Sequence, residues 1–152
     1  MGFSTWIRQI LGFLASRYWK KIEMFADKEG PIESFTWGKF IIFGKQHSGG
    51  NPQVGAGKDI RIIGTEVTPW TDRSGHLLSR RMITGVFDRG IEVLILGLGA
   101  NRAVECPRSV VEEIRQSGIP ELILLDTPAA CRRFNELYRE GKRVAFLAHG
   151  TC

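Results

Sequence analysis

Two continuous apolar runs with an amphipathic stretch between them constrain the fold of this chain most. Residues 91–96 and Glu121–Leu125 are the kind of run expected for strands that are buried on both faces. Between the runs, Pro107 marks the start of a helix and Gly118 marks its end. The order predicts a strand–helix–strand unit, with a right-handed crossover if the two strands are parallel.

A second helix and a last strand follow this unit. Thr127 and Pro128 open the helix, and Gly141 closes it. Its inner face consists of Ala130, Phe134 and Leu137 or Tyr138. Residues 143–148 then predict a final strand. An alternation of strands and helices in this order is typical of a layered α/β sheet.

The middle of the chain, residues 35–88, has a weaker pattern. We predict one aromatic-rich strand over residues 35–43, a glycine-rich loop over 44–57 and a second strand over 60–67. An irregular polar segment, residues 68–78, comes next. A short helix is expected over about 79–88, ended by Gly90.

Residues 3–15 have the periodicity of an amphipathic helix, and Gly30-Pro31 marks a boundary after them. We therefore divide the chain into an extension (1–30) and an α/β domain (31–152). The apolar stripe of the extension must be covered by the domain, a second copy, a partner or lipid, and a basic segment poor in acids is also typical of organelle targeting. The candidate interaction surface consists of the apolar residues with two nearby arginines: Phe3, Trp6, Ile7, Ile10, Leu14, Arg8 and Arg17.

Composition excludes several classes of protein. The net charge of +5 has its excess at the two chain ends, and the balanced middle lacks a basic stripe, so no nucleic-acid partner is expected. Basic residues interrupt the longest apolar region, so no membrane span is expected. Three widely spaced cysteines favour a reducing compartment, which we take as the cytoplasm, with the mitochondrion as the alternative.

Four stretches resemble the Mth938-like domain family: residues 125–152, residues 95–99, the opening at 32–40, and the pattern of Trp70, Arg73 and His76. This family of unknown function includes archaeal and bacterial proteins, the vertebrate adipogenesis-associated protein and an assembly factor of mitochondrial respiratory complex I. The resemblance implies a three-layer α/β domain with a mixed central sheet over residues 32–152. It implies no reaction, no catalytic residue and no cofactor.

Gly97, Gly99 and Asp126 form the most specific candidate ligand site. The glycines directly follow a buried strand and the carboxylate ends the next one, as in dinucleotide-binding units. The third glycine of that pattern is missing, because position 102 is Arg, so a plain turn at the strand exit is the favoured interpretation.

Trp70, Arg73 and His76 lie on the irregular segment, where they can together hold an anion. The alternative, which we favour, is structural: Trp70 covers the sheet while Arg73 pairs with Asp72 or Glu66.

The cysteines and their neighbours give no metal or catalytic site. His149 and Cys152 are too few for a zinc site, so a frayed chain end is the favoured interpretation. Arg108, two residues after Cys106, is of the type that lowers a thiol pKa, but a loop cysteine close to one arginine is common and no base accompanies this one.

The sequence therefore favours a non-enzymatic interaction, accessory or assembly module. Its partner is a protein or a second copy, and its N-terminal helix contacts the partner or a membrane surface. The alternative is a small-molecule-binding or nucleotide-binding protein or enzyme, with a pocket at the carboxyl ends of the strands near Gly97 and Asp126.

Overall fold

The computed structural model describes residues 22–48 and 58–152. In chain order these residues form β1 (Phe25–Ala26), β2 (Ile32–Thr36), β3 (Lys39–Ile42), β4 (Lys45–Ser48), β5 (Ile60–Ile63), β6 (Glu66–Pro69), a 3-10 helix (Arg80–Met82), β7 (Val93–Gly97), α1 (Arg108–Gln116), β8 (Glu121–Leu125), α2 (Thr127–Arg139) and β9 (Val144–Ala148). The strands make two sheets, ordered β1-β2-β3-β4 and β6-β5-β9-β7-β8.

The five-stranded sheet is mixed. Strand β7 pairs in parallel with both β8 and β9, whereas β5 pairs antiparallel with β9 and β6. The predicted strand–helix–strand unit is therefore confirmed as β7–α1–β8. Strand β9 lies between β5 and β7, and all five of its residues are buried. This explains why its sequence is apolar throughout rather than alternating.

Two hydrophobic clusters cover the two faces of this sheet. On one face, Phe134 of α2 stacks on Phe146 of β9 with ring centroids 5.5 Å apart, and the four-stranded sheet packs into the same cluster. On the other face, Ile114 of α1 belongs to a second cluster that also contains Leu147 and Trp70. The mixed α/β fold that the sequence predicted is thus present, with layers on both faces of the central sheet.

Both helices begin and end where the sequence placed their signals. The side chain of Asp126 caps α2 by accepting a hydrogen bond of 2.9 Å from the backbone N–H of Ala129. Pro107 immediately precedes α1. After the helices, Gly118 and Gly141 take the left-handed conformation, with φ of +96° and +82°.

Up to Ser48, where the described part ends, the region predicted as one strand and a loop contains residues of three strands. A two-residue turn at Trp37-Gly38 separates β2 from β3, and Gly38 has φ of +73°. Strand β4 then occupies the start of the predicted glycine-rich loop and pairs with β3. The prediction of a single strand over 35–43 was wrong because two residues suffice to reverse the chain.

Two further predictions need correction. The predicted strand over 60–67 is a hairpin, β5–β6, that turns at Gly64-Thr65. The predicted helix over 79–88 is limited to the 3-10 helix. Ile83 is extended, with φ −86° and ψ 97°, and Gly85 has φ of +77°, so a helix cannot continue past them.

The predicted extension divides into two parts. The helix over residues 3–15 and its candidate surface (Phe3, Trp6, Ile7, Arg8, Ile10, Leu14 and Arg17) lie outside the described residues. Residues 22–30 pack on the domain: Phe25 is buried against β2, and Asp27 forms an ion pair of 2.7 Å with Arg139. Among the described residues, no helix is long and apolar enough to cross a membrane.

Candidate functional site

Asp59 and His149 meet because of the register between β5 and β9. Ile60 at the start of β5 lies opposite Ala148 at the end of β9. Because the strands are antiparallel, Asp59, which precedes Ile60, faces His149, which follows Ala148. The imidazole Nδ1 of His149 lies 2.9 Å from Oδ1 of Asp59. The backbone N–H of Gly150 donates to the same carboxylate oxygen over 3.1 Å.

Arg73 binds the second oxygen of this carboxylate through its Nε. Asp59 and His149 are only 5% and 3% exposed, so a charge here needs partners. Burial alone raises the pKa of Asp59, but the hydrogen bonds from His149 and Arg73 and the charge of Arg73 more than offset it. The pKa of Asp59 therefore lies below its ordinary value, and the carboxylate is ionised.

The main chain of His149 is fixed independently of its side chain. Its N–H donates to the carbonyl of Gly97 over 2.9 Å, and its carbonyl accepts from the hydroxyl of Thr127 over 2.7 Å. The same hydroxyl accepts from the N–H of Gly99 over 2.9 Å. Thr127, fully buried at the start of α2, thus ties the ends of β7 and β9 together.

The Nε2 side of His149 faces two further potential ligand groups. The Thr151 hydroxyl lies 3.1 Å from Nε2 and the Cys152 Sγ lies 3.6 Å from it. Nε2 of His76 approaches the same sulfur to 3.2 Å from the exposed side. One ring nitrogen from each histidine and the sulfur of Cys152 all lie within 4.8 Å of one another.

The prediction of a frayed end at His149 and Cys152 was wrong. The main-chain oxygen of Cys152 accepts hydrogen bonds from the N–H groups of Asn101, at 3.0 Å, and Ala103, at 3.1 Å. The carbonyl of Thr151 accepts from Ala100 over 2.6 Å. Residues 149–152 are therefore held against the turn that follows β7.

This cluster has the groups for two kinds of chemistry. Two imidazole nitrogens and a thiol sulfur are ligands for a transition metal. The cluster also contains three groups in the spatial order that nucleophilic catalysis uses: the Cys152 thiol as nucleophile, His149 as base and the Asp59 carboxylate that orients the base. Nucleophilic catalysis additionally needs free donors for an oxyanion. The N–H groups of Asn101 and Ala103 already donate to the main-chain oxygen of Cys152, so the geometry favours metal binding.

Gly97, Gly99 and Asp126 do not form an open ligand pocket. A Cβ on Gly99 would lie 2.3 Å from the carbonyl carbon of Cys152, and a Cβ on Gly97 would lie 3.0 Å from the Thr127 hydroxyl. The space that a phosphate would need is occupied by the chain itself. Asp126 is engaged as the cap of α2. The interpretation as a turn at the strand exit therefore fits the packing.

The three residues of the irregular segment have different roles. Trp70 is 3% exposed, and its indole N–H donates to the carbonyl of Met82, so it covers the sheet as expected. Arg73 pairs with Asp59 rather than with Asp72 or Glu66, and Asp72 instead pairs with Arg61 at 3.2 Å. His76 joins the cluster around Cys152.

Cys106 lines a groove together with Leu77, the residue that follows His76 in the chain. The groove has a volume of about 560 Å³ and is lined by Leu77, Leu98, Arg102, Val104, Glu105, Cys106, Pro107 and Leu124. Burial raises the pKa of the Cys106 thiol to about 11, so the neighbouring Arg108 does not activate it.

Asp59 is the functional candidate that the sequence analysis missed. It precedes a predicted strand, and nothing local distinguishes it from any other loop carboxylate. The only available signal was its place at the start of that strand, one residue before Ile60. That signal becomes useful once β5 is paired with β9.

The sequence matches the family described as protein of unknown function (DUF498/DUF598) over residues 32–149. A conserved hypothetical protein from Pyrococcus horikoshii is 21% identical, with a TM-score of 0.63 over 80% of this chain and 98% of the other. An outer membrane protein from Bartonella henselae is 24% identical, with a TM-score of 0.64 over 80% and 95%. The protein MT938 is 23% identical, with a TM-score of 0.60 over 86% and 100%. These likenesses show the fold alone.

Proposed function

We propose that this chain, which belongs to the DUF498/DUF598 (Mth938-like) family of proteins of unknown function, is a non-enzymatic accessory module that binds a partner protein. The exposure of Leu77 is the observation that supports this proposal. Its side chain is 60% exposed, more than that of any other large hydrophobic residue among those described.

Leu77 is exposed although its backbone is held in place. It forms a parallel bridge with Glu105. The N–H of Leu78 donates to the Glu105 carbonyl over 2.9 Å, and the N–H of Glu105 donates to the His76 carbonyl over 2.7 Å. Single exposed apolar side chains are common on proteins, so Leu77 supports the proposal through its fixed position next to an apolar groove rather than by its exposure alone.

The groove beside Leu77 extends this apolar surface. Leu98, Val104 and Leu124 form its apolar lining, and Arg102 and Glu105 add one charge of each sign. Full burial of one leucine contributes only about 1.5–3 kcal/mol, so Leu77 alone gives weak binding. A partner that inserts an apolar segment into the groove would add to this, and the two charges would orient it.

The alternative of a ligand pocket near Gly97 and Asp126 has less support. The chain's own residues 149–152 pack over Gly99, and Thr127 fills the space at Gly97. A small molecule would have to displace that segment, together with its hydrogen bonds to Asn101 and Ala103.

The N-terminal extension supplies a second apolar surface in this proposal. Its predicted amphipathic stretch, centred on Trp6 and Ile10, would contact the same partner, a second copy or an anionic membrane.

The resemblance to the respiratory complex I assembly factor favours a role of this module in the assembly of a protein complex. The proposal locates the protein in the cytoplasm, because the three cysteines are unpaired thiols.

Photo-crosslinking of the full chain tests the groove. A photoreactive amino acid at position 77 should yield one discrete adduct with a partner protein in the native cell. The same group at the exposed Lys142, in the turn between α2 and β9, should not yield that adduct. Sedimentation of the purified chain separates self-association from binding of another protein. Absence of an adduct at position 77, or identical adducts at both positions, would overturn the proposal.

A further inference from the structure

We propose that His76, His149 and Cys152 bind one Zn²⁺ ion, a function distinct from the partner binding proposed above. The ligand atoms are Nε2 of each histidine and Sγ of the cysteine. Zn²⁺ is borderline-soft and accepts mixed imidazole and thiolate ligands, which a magnesium or calcium ion does not prefer.

The two sulfur–nitrogen spacings fit a single ion, and the two imidazole nitrogens, which lie within 4.8 Å of each other, would close to about 3.4 Å around it. With Zn–N of about 2.0–2.1 Å, Zn–S of about 2.3 Å and tetrahedral angles, a sulfur and a nitrogen on one zinc ion lie about 3.6 Å apart. Sγ of Cys152 lies 3.2 Å from Nε2 of His76 and 3.6 Å from Nε2 of His149. The ligand atoms are therefore assembled to within a few tenths of an ångström along both sulfur–nitrogen pairs.

Asp59 orients one of the ligands. Histidines that bind zinc usually donate their other ring N–H to a carboxylate, which fixes the tautomer and the ring plane. Nδ1 of His149 faces Oδ1 of Asp59 at 2.9 Å, so the lone pair of Nε2 is directed at the cluster. Arg73 and the N–H of Gly150 hold that carboxylate in turn. A buried histidine so arranged is preorganised for a metal.

Burial of the three residues increases from His76 to His149. His76 is exposed, Cys152 is half-buried and His149 is buried, so an ion can enter from the side of His76. Three protein ligands leave one tetrahedral position for water or for a donor atom of a partner.

Metal binding is tested with the purified full chain after treatment with a chelator. Titration with Zn²⁺ should saturate at one ion per chain. Co²⁺ as a spectroscopic substitute should give a thiolate charge-transfer band and intense visible bands of tetrahedral Co²⁺. Cys152→Ser should abolish the charge-transfer band, and His76→Ala should weaken Zn²⁺ binding at least about 100-fold, since even loss of an outer partner costs 10–100-fold.

Two variants that retain the cluster serve as controls. His47→Gln changes the chain's remaining histidine, and Cys106→Ser changes a thiol outside the cluster. Both should bind Zn²⁺ and Co²⁺ as the unmodified chain does. Because His76 is exposed and Cys152 is half-buried, we expect their variants to remain folded, and circular dichroism verifies this. Failure of the folded, unmodified chain to take up one Zn²⁺ would overturn the site. Zn²⁺ uptake by Cys152→Ser and His76→Ala equal to that of the unmodified chain would also overturn it, and neither result affects the proposal about the groove.

Discussion

Asp59 and His149 are 90 residues apart in the sequence but directly adjacent across β5 and β9, with 2.9 Å between Oδ1 and Nδ1. The pair exists only in the register that places Ile60 opposite Ala148. A slip of one residue would turn every side chain of one strand to the other face of the sheet. The candidate site therefore depends on the same register that buries the core.

Acid stability should depend on Asp59. The pKa of Asp59 is below 3.8 in the folded chain: burial raises it, but His149 and Arg73 more than offset that effect. The ionised carboxylate therefore stabilises the fold above about pH 3.8. This stabilisation is lost as the pH falls through the lowered pKa. In urea unfolding at several pH values, the free energy of unfolding should fall less steeply below pH 3.8 in Asp59→Asn than in the unmodified chain.

Part of the acid dependence should remain in that variant. The hydrogen bond from Arg139 lowers the pKa of Asp27 in the same pH range. The surface variant Asp88→Asn serves as control and should follow the unmodified chain. Parallel curves for Asp59→Asn and the unmodified chain would contradict the prediction.

Thr127→Val should destabilise the fold without changing the shape of the side chain. The hydroxyl pairs two buried backbone groups, the N–H of Gly99 and the carbonyl of His149. Each group left unpaired costs about 1–3 kcal/mol, so the free energy of unfolding should fall by about 2–6 kcal/mol. Chemical denaturation measures this loss. Thr71→Val, at an exposed position, should change stability little, and an equal effect of the two changes would refute the argument.

Gly99→Ala and Gly118→Ala form a matched pair. Both glycines have positive φ, at +104° and +96°, so both variants carry backbone strain of about 1–3 kcal/mol. Only at Gly99 does the added methyl meet the backbone of Cys152, at 2.3 Å, whereas nothing lies within 4 Å at Gly118. Gly99→Ala should therefore lower the melting temperature more and increase the rate at which a thiol reagent modifies Cys152. Equal melting temperatures of the two variants would show that residues 149–152 can move aside without destabilising the fold.

The double change of Ile10 and Leu14 to Asp tests the N-terminal extension. If its apolar stripe binds an outside surface, the melting temperature should stay unchanged while retention on anionic vesicles or self-association is lost. Gln9→Asp with Ser16→Asp places the same charges on the polar side and should retain more binding. A melting temperature several degrees lower in the Ile10 and Leu14 variant, with no vesicle binding or self-association by the unmodified chain, would assign the extension to the fold.

The sequence predicted the elements that are marked by local signals. Pro107 and Gly118 bounded α1, and Thr127-Pro128 and Gly141 bounded α2, because caps and turns depend on neighbours in the chain. The short hairpins were missed, since strands of four or five residues joined by two-residue turns look like one longer run. Four of the five side chains of the site were named in advance. Arg73 was assigned other partners, and His149 and Cys152 were interpreted as a frayed chain end rather than joined to His76. Asp59 was not named, because its role arises from pairing between distant strands.

The position of β9 within the central sheet also determines when this protein can complete its folding during translation. Until residue 148 has emerged, the β5–β6 hairpin and the β7–β8 pair lack the strand that joins them. The faces that Phe146 and Leu147 will cover stay open for most of translation. At a synthesis rate of about 5–20 residues per second, this sheet stays unfinished for seconds, so its folding can be completed only after β9 has been translated.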